Sequence, residues 1–244
     1  MGTLQGIKAL FASFTAFPIK SDQNTLAEAA NYLPLVPLIG SVIGLLTATL
    51  VGVFRLIFPA IIAGILGLGF LLCINGLRHT SGLMEFGKGP MHKGSLKEKA
   101  MRNGNAGGFV LAFIVLASTA LSIANLGALR YFQDIIVAET SARLAIVVLA
   151  WISRPASGEN ILFVEKMHGS RRGPRITFSL AISLAIGVLV IGLGGLIVVL
   201  VGFLTPIILA WLASKSFGGV TGAAFWAAND ISRMTCLLTI LAIS

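Results

Sequence analysis

Long apolar stretches alternate with short polar ones along most of the chain. Seven are long enough to read as membrane-crossing helices, over about 33–54, 56–77, 106–129, 135–153, 176–193, 194–213 and 219–243. At 1.5 Å per residue, about 20 such residues cross a hydrocarbon core of about 30 Å. The second run begins near Pro59, which suits a first helical turn because its missing N–H would be unpaired there. The sixth is divided from the fifth only by Gly194-Gly195, which relaxes the backbone without supplying a polar loop. The pattern predicts an all-α, polytopic membrane bundle of about seven transmembrane helices in a single domain, 1–244.

Composition agrees. The 244 residues are 56% hydrophobic and 11% charged, with a mean hydropathy of +0.94. A soluble domain carries roughly 25% charged residues. The formal charge of +9 does not indicate nucleic acid, because of where it sits. Of 18 Lys and Arg, six fall in 78–105 and five in 154–175, two polar loops on one side of the predicted topology. Basic loops face the cytoplasm, which places the N-terminus inside a cell (inner) membrane and the C-terminus outside. The early patch ALFASFTAFPI reads as a re-entrant or interfacial segment rather than a cleaved leader. Cys73 and Cys236 lie inside apolar runs and read as packing residues.

Charges inside the runs are more informative. Glu139 and Arg143 share a helix face at i, i+4. A charge at bilayer depth costs about 2.5 kcal/mol or more unless it finds a partner or a polar cavity. Two readings fit: an internal Glu139–Arg143 pair, or a cavity wall that meets a phosphate. Asp230 is likewise buried in the last run, where Arg233, three residues on, is the simplest partner. GSVIG at 40–44 and GILGLG at 64–69 have the small-residue spacing of close helix packing. His92 and His168 lie in the basic loops and read as solvated.

No P-loop, zinc spacing, nucleophile elbow or dinucleotide fingerprint occurs. Three polar stations stand out instead: RHTSGLMEFGKGPMHKGSLKEKAMRNGNAGG at 78–108, ETSAR…SRPASGENILF at 139–163, and FGGVTGAAFWAANDISR at 217–233. With FASFTAFPI and YLPLVPLIGSVIGLL, these resemble the cobalamin synthase family, the membrane adenosylcobinamide-GDP ribazoletransferases, nearly end to end. The resemblance implies a transferase that joins adenosylcobinamide-GDP to α-ribazole or its phosphate and releases GMP, with Mg²⁺. It also implies a lipid bilayer as surroundings, no nucleic-acid partner, and room for a homo-oligomer.

The family's acidic signature is where this chain departs. His79 is retained, but the three aspartate positions read Ser81, Glu85 and Lys88. The later Met-Arg-Asp reads Met101-Arg102-Asn103, and the acid expected after Thr221-Gly222 is Ala223. By resemblance, His79, Glu85 and Asp230 are the catalytic candidates. Ser81, Lys88, Arg102, Asn103, Ser141, Arg143 and Thr221 are the substrate-binding ones. Glu85 and Asp230 are the metal-ligand candidates left among nine acids in the chain. Mg²⁺ prefers several oxygen ligands in octahedral array, so Lys88 in a ligand's place weakens that implication. Three readings stay open: a transferase with an altered site, a catalytically degraded paralogue that binds corrinoid or a partner protein, and an unrelated carrier.

Overall fold

A computed structural model describes residues 3–16, 29–76, 78–88, 106–156, 162–169 and 171–244. Ten α-helices occupy them: α1 (Thr3–Phe14), α2 (Val36–Ile57, entered through a 3-10 turn at Leu33–Leu35), α3 (Ala60–Asn75), α4 (Arg78–Lys88), α5 (Ala106–Asn125), α6 (Tyr131–Ile152), α7 (Leu162–Met167), α8 (Arg172–Ile191), α9 (Leu193–Phe217) and α10 (Gly222–Ile243). Among the described residues there is no strand, only an isolated bridge between Pro155 and Val220.

The bundle is organised around α6. Every residue from Val137 to Ala150 is buried, and α2, α8, α9 and α10 pack around it. An all-round buried helix needs neighbours without bulk, and glycine supplies the closest approaches. A Cβ on Gly44 of α2 would lie 2.8 Å from Ile136 Cα, and one on Gly202 of α9 would lie 2.8 Å from Ser141 Cβ. Gly40 and Gly64 meet neighbouring backbone in the same way, as the small-residue spacing predicts, whereas Gly69 faces open space.

The outer helices turn apolar faces outward. Leu193, Leu196, Ile197, Leu200, Leu204, Ile207, Ile208 and Trp211 of α9 are exposed at helical spacing. Contiguous apolar surface of that kind is tolerated in lipid, not in water. Among the described residues, five helices are long and apolar enough to span a bilayer: Leu33–Ile57, Ala106–Asn125, Tyr131–Ile152, Arg172–Ile191 and Leu193–Phe217. The chain is an integral, multi-pass membrane protein.

The span count differs from the predicted seven for two physical reasons. α3 has only 16 residues and bends through 92° into α4, and the pair together makes at most a sixth, broken span. α10 has 22 residues, but Asn229, Asp230 and Arg233 lower its hydropathy. Two further boundaries move. Residues 78–88, read as the start of a polar loop, form helix α4, and the turn between α8 and α9 falls at Gly192 (φ 67°), two residues before the glycine pair. α1 is about 18 Å long, too short to cross. It docks at the α3–α4 bend, where the Ala16 N–H donates to the Ile74 carbonyl at 2.7 Å.

Candidate functional site

α4 is amphipathic, and its buried face carries Leu83 and Phe86. It is wedged between α5 and α10 by glycines at both contacts. A Cβ on Gly87 would lie 2.9 Å from Gly108 Cα, and one on Gly82 would lie 2.6 Å from Trp226 Cβ. Residues 81, 82 and 85 share the remaining face and meet the first turns of α10. Together they line a polar pocket of about 350 Å³, bounded by Ser81, Gly82, Glu85, Thr221, Gly222, Ala223 and Trp226. Three predicted site residues, Ser81, Glu85 and Thr221, are therefore brought together from 140 positions apart, and Ala223, where an acid was expected, stands beside them.

Behind the pocket lies a second constellation. Trp226 lines the pocket and also packs against the His79 ring, centroids 4.8 Å apart, with Phe14 edge-on at 6.2 Å. His79 is buried, and its Nδ1 lies 3.2 Å from Asp230 Oδ1. The same oxygen accepts from Arg233 Nη1 at 2.6 Å and from Asn229 Nδ2 at 3.1 Å. The same ring nitrogen of His79 lies 3.3 Å from Asn229 Nδ2, so Nδ1 stands between a carboxylate that only accepts and an amide nitrogen that only donates, and its role depends on the tautomer.

Arg233 also binds Glu139 through Nε and, at 3.2 Å, through Nη2. Arg143 does not pair with Glu139. Its Nη1 donates to Asn229 Oδ1 at 3.1 Å and its Nη2 to Asn75 Oδ1. The predicted Asp230–Arg233 contact is present, while the Glu139–Arg143 alternative is corrected. Arg233 reaches Glu139 from α10 with two nitrogens of its guanidinium, a bidentate geometry that suits a carboxylate. Arg233 thus pairs with two carboxylates across α6 and α10, while Arg143 is held by the Asn229 and Asn75 amides, the latter tying in α3. Uncompensated, any one of them would be costly at that depth.

The other candidates lie elsewhere. Lys88 is half-buried near the end of α4 and outside the pocket lining. Ser141 packs against Gly202 on the α9 side of α6. His168 is exposed, and Arg102, Asn103 and His92 lie outside the described residues. Asn75, Gly82, Trp226 and Asn229 are members that sequence reasoning missed. Asn75 and Asn229 were visible as lone amides within apolar runs, but neither carries a charge that demands explanation.

Among the described residues, the side chains at the pocket do not fit a carboxylate-held Mg²⁺. Glu85 is, among the described residues, the only carboxylate that lines the pocket. His79, the partner of Asp230, stands six residues from Glu85, about 9 Å along α4, and neither His79 nor Asp230 lines the pocket that Glu85 borders. Asp230 Oδ1 accepts from Arg233 and Asn229 and lies 3.2 Å from His79 Nδ1, while its buried Oδ2 has no hydrogen-bond partner among the described residues. Among the described residues, no group of three or more His, Cys, Asp and Glu could hold a metal ion.

Among the described residues, a multi-pass helical bundle carries a polar pocket where α4, after the bend from α3, meets the start of α10. The chain matches the cobalamin-5-phosphate synthase model over residues 6–241 and belongs to that family. It is similar to the adenosylcobinamide-GDP ribazoletransferase of Methanosarcina mazei, 26% identical over 97% of this chain and 91% of the relative. The protein of that name in Methanocella arvoryzae is 29% identical over 96% of this chain and 94% of its own length. One from Saccharolobus islandicus is 33% identical over 68% of each. No solved structure matches.

Proposed function

We propose that the chain is an adenosylcobinamide-GDP ribazoletransferase acting late in cobalamin biosynthesis, with its site at the α4–α10 pocket. Family membership over nearly the whole chain supports the reaction. The observation that carries the location is the pocket lining, because Ser81, Glu85 and Thr221 come from the two stations that resemble the family's polar segments. The basic segments 78–105 and 154–175 face the cytoplasm in this reading.

The reaction is an in-line substitution at phosphorus. A ribose hydroxyl of α-ribazole, or of its phosphate, attacks the corrinoid-bearing phosphorus. The bridging P–O bond breaks, GMP leaves with that bonding pair, and the hydroxyl proton passes to a base. Such transfers depend chiefly on alignment and on neutralising charge. The rigid wedge of α4 against α10 provides alignment, and preorganised N–H and O–H dipoles at the pocket supply part of the charge stabilisation. Purified protein in detergent, given adenosylcobinamide-GDP, α-ribazole and Mg²⁺, is expected to form the base-on corrinoid, followed by chromatography. A failure under conditions in which an acid-rich relative turns over overturns the proposal.

One observation favours a second reading. A pocket with a single carboxylate suits a relative that has lost catalysis and retains corrinoid or partner binding. Restoring acids with Ser81→Asp, Lys88→Asp and Ala223→Asp would then create metal-dependent turnover. Loss of an existing activity by the same changes contradicts that reading.

A further inference from the structure

The outward surface of the α8–α9 hairpin carries charge at one end only. α8 is the least enclosed of the five apolar helices, and Phe178, Val188 and Leu189 stand exposed on it. On α9 the exposed stripe Leu204, Ile208, Trp211 continues one turn on into Lys215, whose Nζ lies 5.0 Å from the Trp211 ring centroid. The hairpin turns at Gly192. From there about 30 Å of α8 and about 33 Å of α9 run back to the same end, which sets Lys215 level with Arg171, Arg172 and Arg175.

Two of these arginines are held in place. Arg172 Nη2 donates to the Trp151 carbonyl at 2.6 Å, and its guanidinium lies 5.6 Å from the Trp151 ring centroid. Arg175 Nη1 donates to the Lys166 carbonyl. A guanidinium has five N–H donors, so each keeps donors for a ligand, and less ordering is left to be done on binding. Arg171, Arg172 and Lys215 are exposed and Arg175 is half-buried. Among the described residues none of the four is ion-paired, since every salt bridge lies in the buried network of His79, Asp230, Arg233 and Glu139. The segment 154–175 sets five Lys and Arg against Glu159 and Glu165.

A cluster of cations beside tryptophans, where apolar helix faces end, complements a phosphate carried at a bilayer surface. Phosphate oxygens accept forked guanidinium hydrogen bonds, whereas a choline headgroup brings a cation of its own into the cluster. None of the four residues lines the α4–α10 pocket. We infer that Arg171, Arg172, Arg175 and Lys215 form a binding surface for an anionic phospholipid, with the headgroup phosphate on the arginines and the acyl chains along the exposed faces of α8 and α9. The surface selects anionic over zwitterionic lipid, and it does so whether or not the chain is a transferase.

The test reconstitutes the full chain in phosphatidylcholine bilayers and titrates in phosphatidylglycerol or phosphatidylcholine with brominated chains. Quenching of tryptophan fluorescence reads the binding, with Trp211 and Trp151 as the nearby reporters. Each Lys or Arg at an anionic surface is worth about fivefold in binding. Four predict a preference for phosphatidylglycerol of at least about tenfold, weakened by about 0.5 M NaCl because exposed charges are screened. Arg171→Gln with Lys215→Gln, which removes no hydrogen bond to the rest of the protein, should cut the preference to about threefold or less. Adding Arg172→Gln and Arg175→Gln should erase it, while Arg130→Gln at the other end of α6 should leave it intact. Equal quenching by the two lipids in the unaltered protein overturns the inference without reference to any variant. So does a preference that survives all four substitutions. Loss of the phosphatidylglycerol quenching on adding inorganic phosphate or GMP at constant ionic strength would assign the cluster to a water-borne phosphate and overturn it as well.

Discussion

Nδ1 of His79 on α4 lies 3.2 Å from Oδ1 of Asp230 on α10, across 151 residues of chain. This contact docks a short helix that has little else polar to orient it. α4 has 11 residues, too few for stability alone, so its position depends on α5, α10 and this contact. The pocket formed by its outer face inherits its geometry from that docking.

Asp230 is one of two carboxylates that balance Arg233. Removing one member of a buried charge pair costs about 3–5 kcal/mol, because the partner stays buried and unpaired. Arg233→Ala and Asp230→Ala are each expected to lower the unfolding midpoint in detergent by an amount of that order. A shift no larger than that of a lipid-facing control such as Leu200→Ala would contradict the network.

Arg143 joins α3 to α10 through two amides rather than through a carboxylate. Lysine keeps the charge but cannot fork to both. Arg143→Lys should cost about 1–3 kcal/mol, the penalty of an unsatisfied buried group. A cycle of Arg143→Lys with Asn75→Ala should give a coupling of about 0.5–3 kcal/mol, measured by chemical unfolding, while additive effects would separate the two residues.

Two glycines in adjacent helices make a matched comparison. Gly44→Ala forces the new methyl against Ile136 Cα, whereas a Cβ on Gly69 has nothing within 4 Å. The first should cost about 1–3 kcal/mol, as overpacking does. The second should be neutral or slightly stabilising, since alanine favours the helix. Gly76→Ala tests the bend itself, because φ 74° with ψ 155° is a conformation that side chains resist. It should reduce turnover more than Gly69→Ala does, in a kcat comparison of the two purified variants.

Metal removal should have a small effect on nucleotide binding. With one carboxylate among the described residues lining the pocket and Asp230 outside that lining, GMP affinity is expected to be the same with Mg²⁺ and with excess EDTA. A loss of binding on chelation would show that a cation completes the site after all.

Much of this was legible in the sequence, and the failures share one cause. The apolar runs identified the helices because bilayer depth imposes their length. Asp230–Arg233 was found because i, i+3 neighbours meet whatever the tertiary structure does. Glu139–Arg143 obeys the same spacing yet is not the pair formed, because Arg233 of another helix offers better geometry and no spacing rule reports that competitor. Residues 78–88 look like a loop because their hydropathy is low, but a polar helix with Leu83 and Phe86 on one face needs only that face buried. Ser81, Glu85 and Thr221 were placed through resemblance. Trp226 was passed over because an aromatic residue in an apolar run is ordinarily packing.

The most direct test of the central claim, that the α4–α10 pocket is a transferase site, is GMP release from adenosylcobinamide-GDP by the unaltered protein and by Gly82→Ala. A methyl at position 82 would intrude where α4 meets Trp226, 2.6 Å from its Cβ. The account predicts GMP in proportion to base-on corrinoid, only when α-ribazole is present, and its loss in Gly82→Ala with the fold retained. No GMP above a protein-free control, or undiminished release by a folded Gly82→Ala protein, would contradict it.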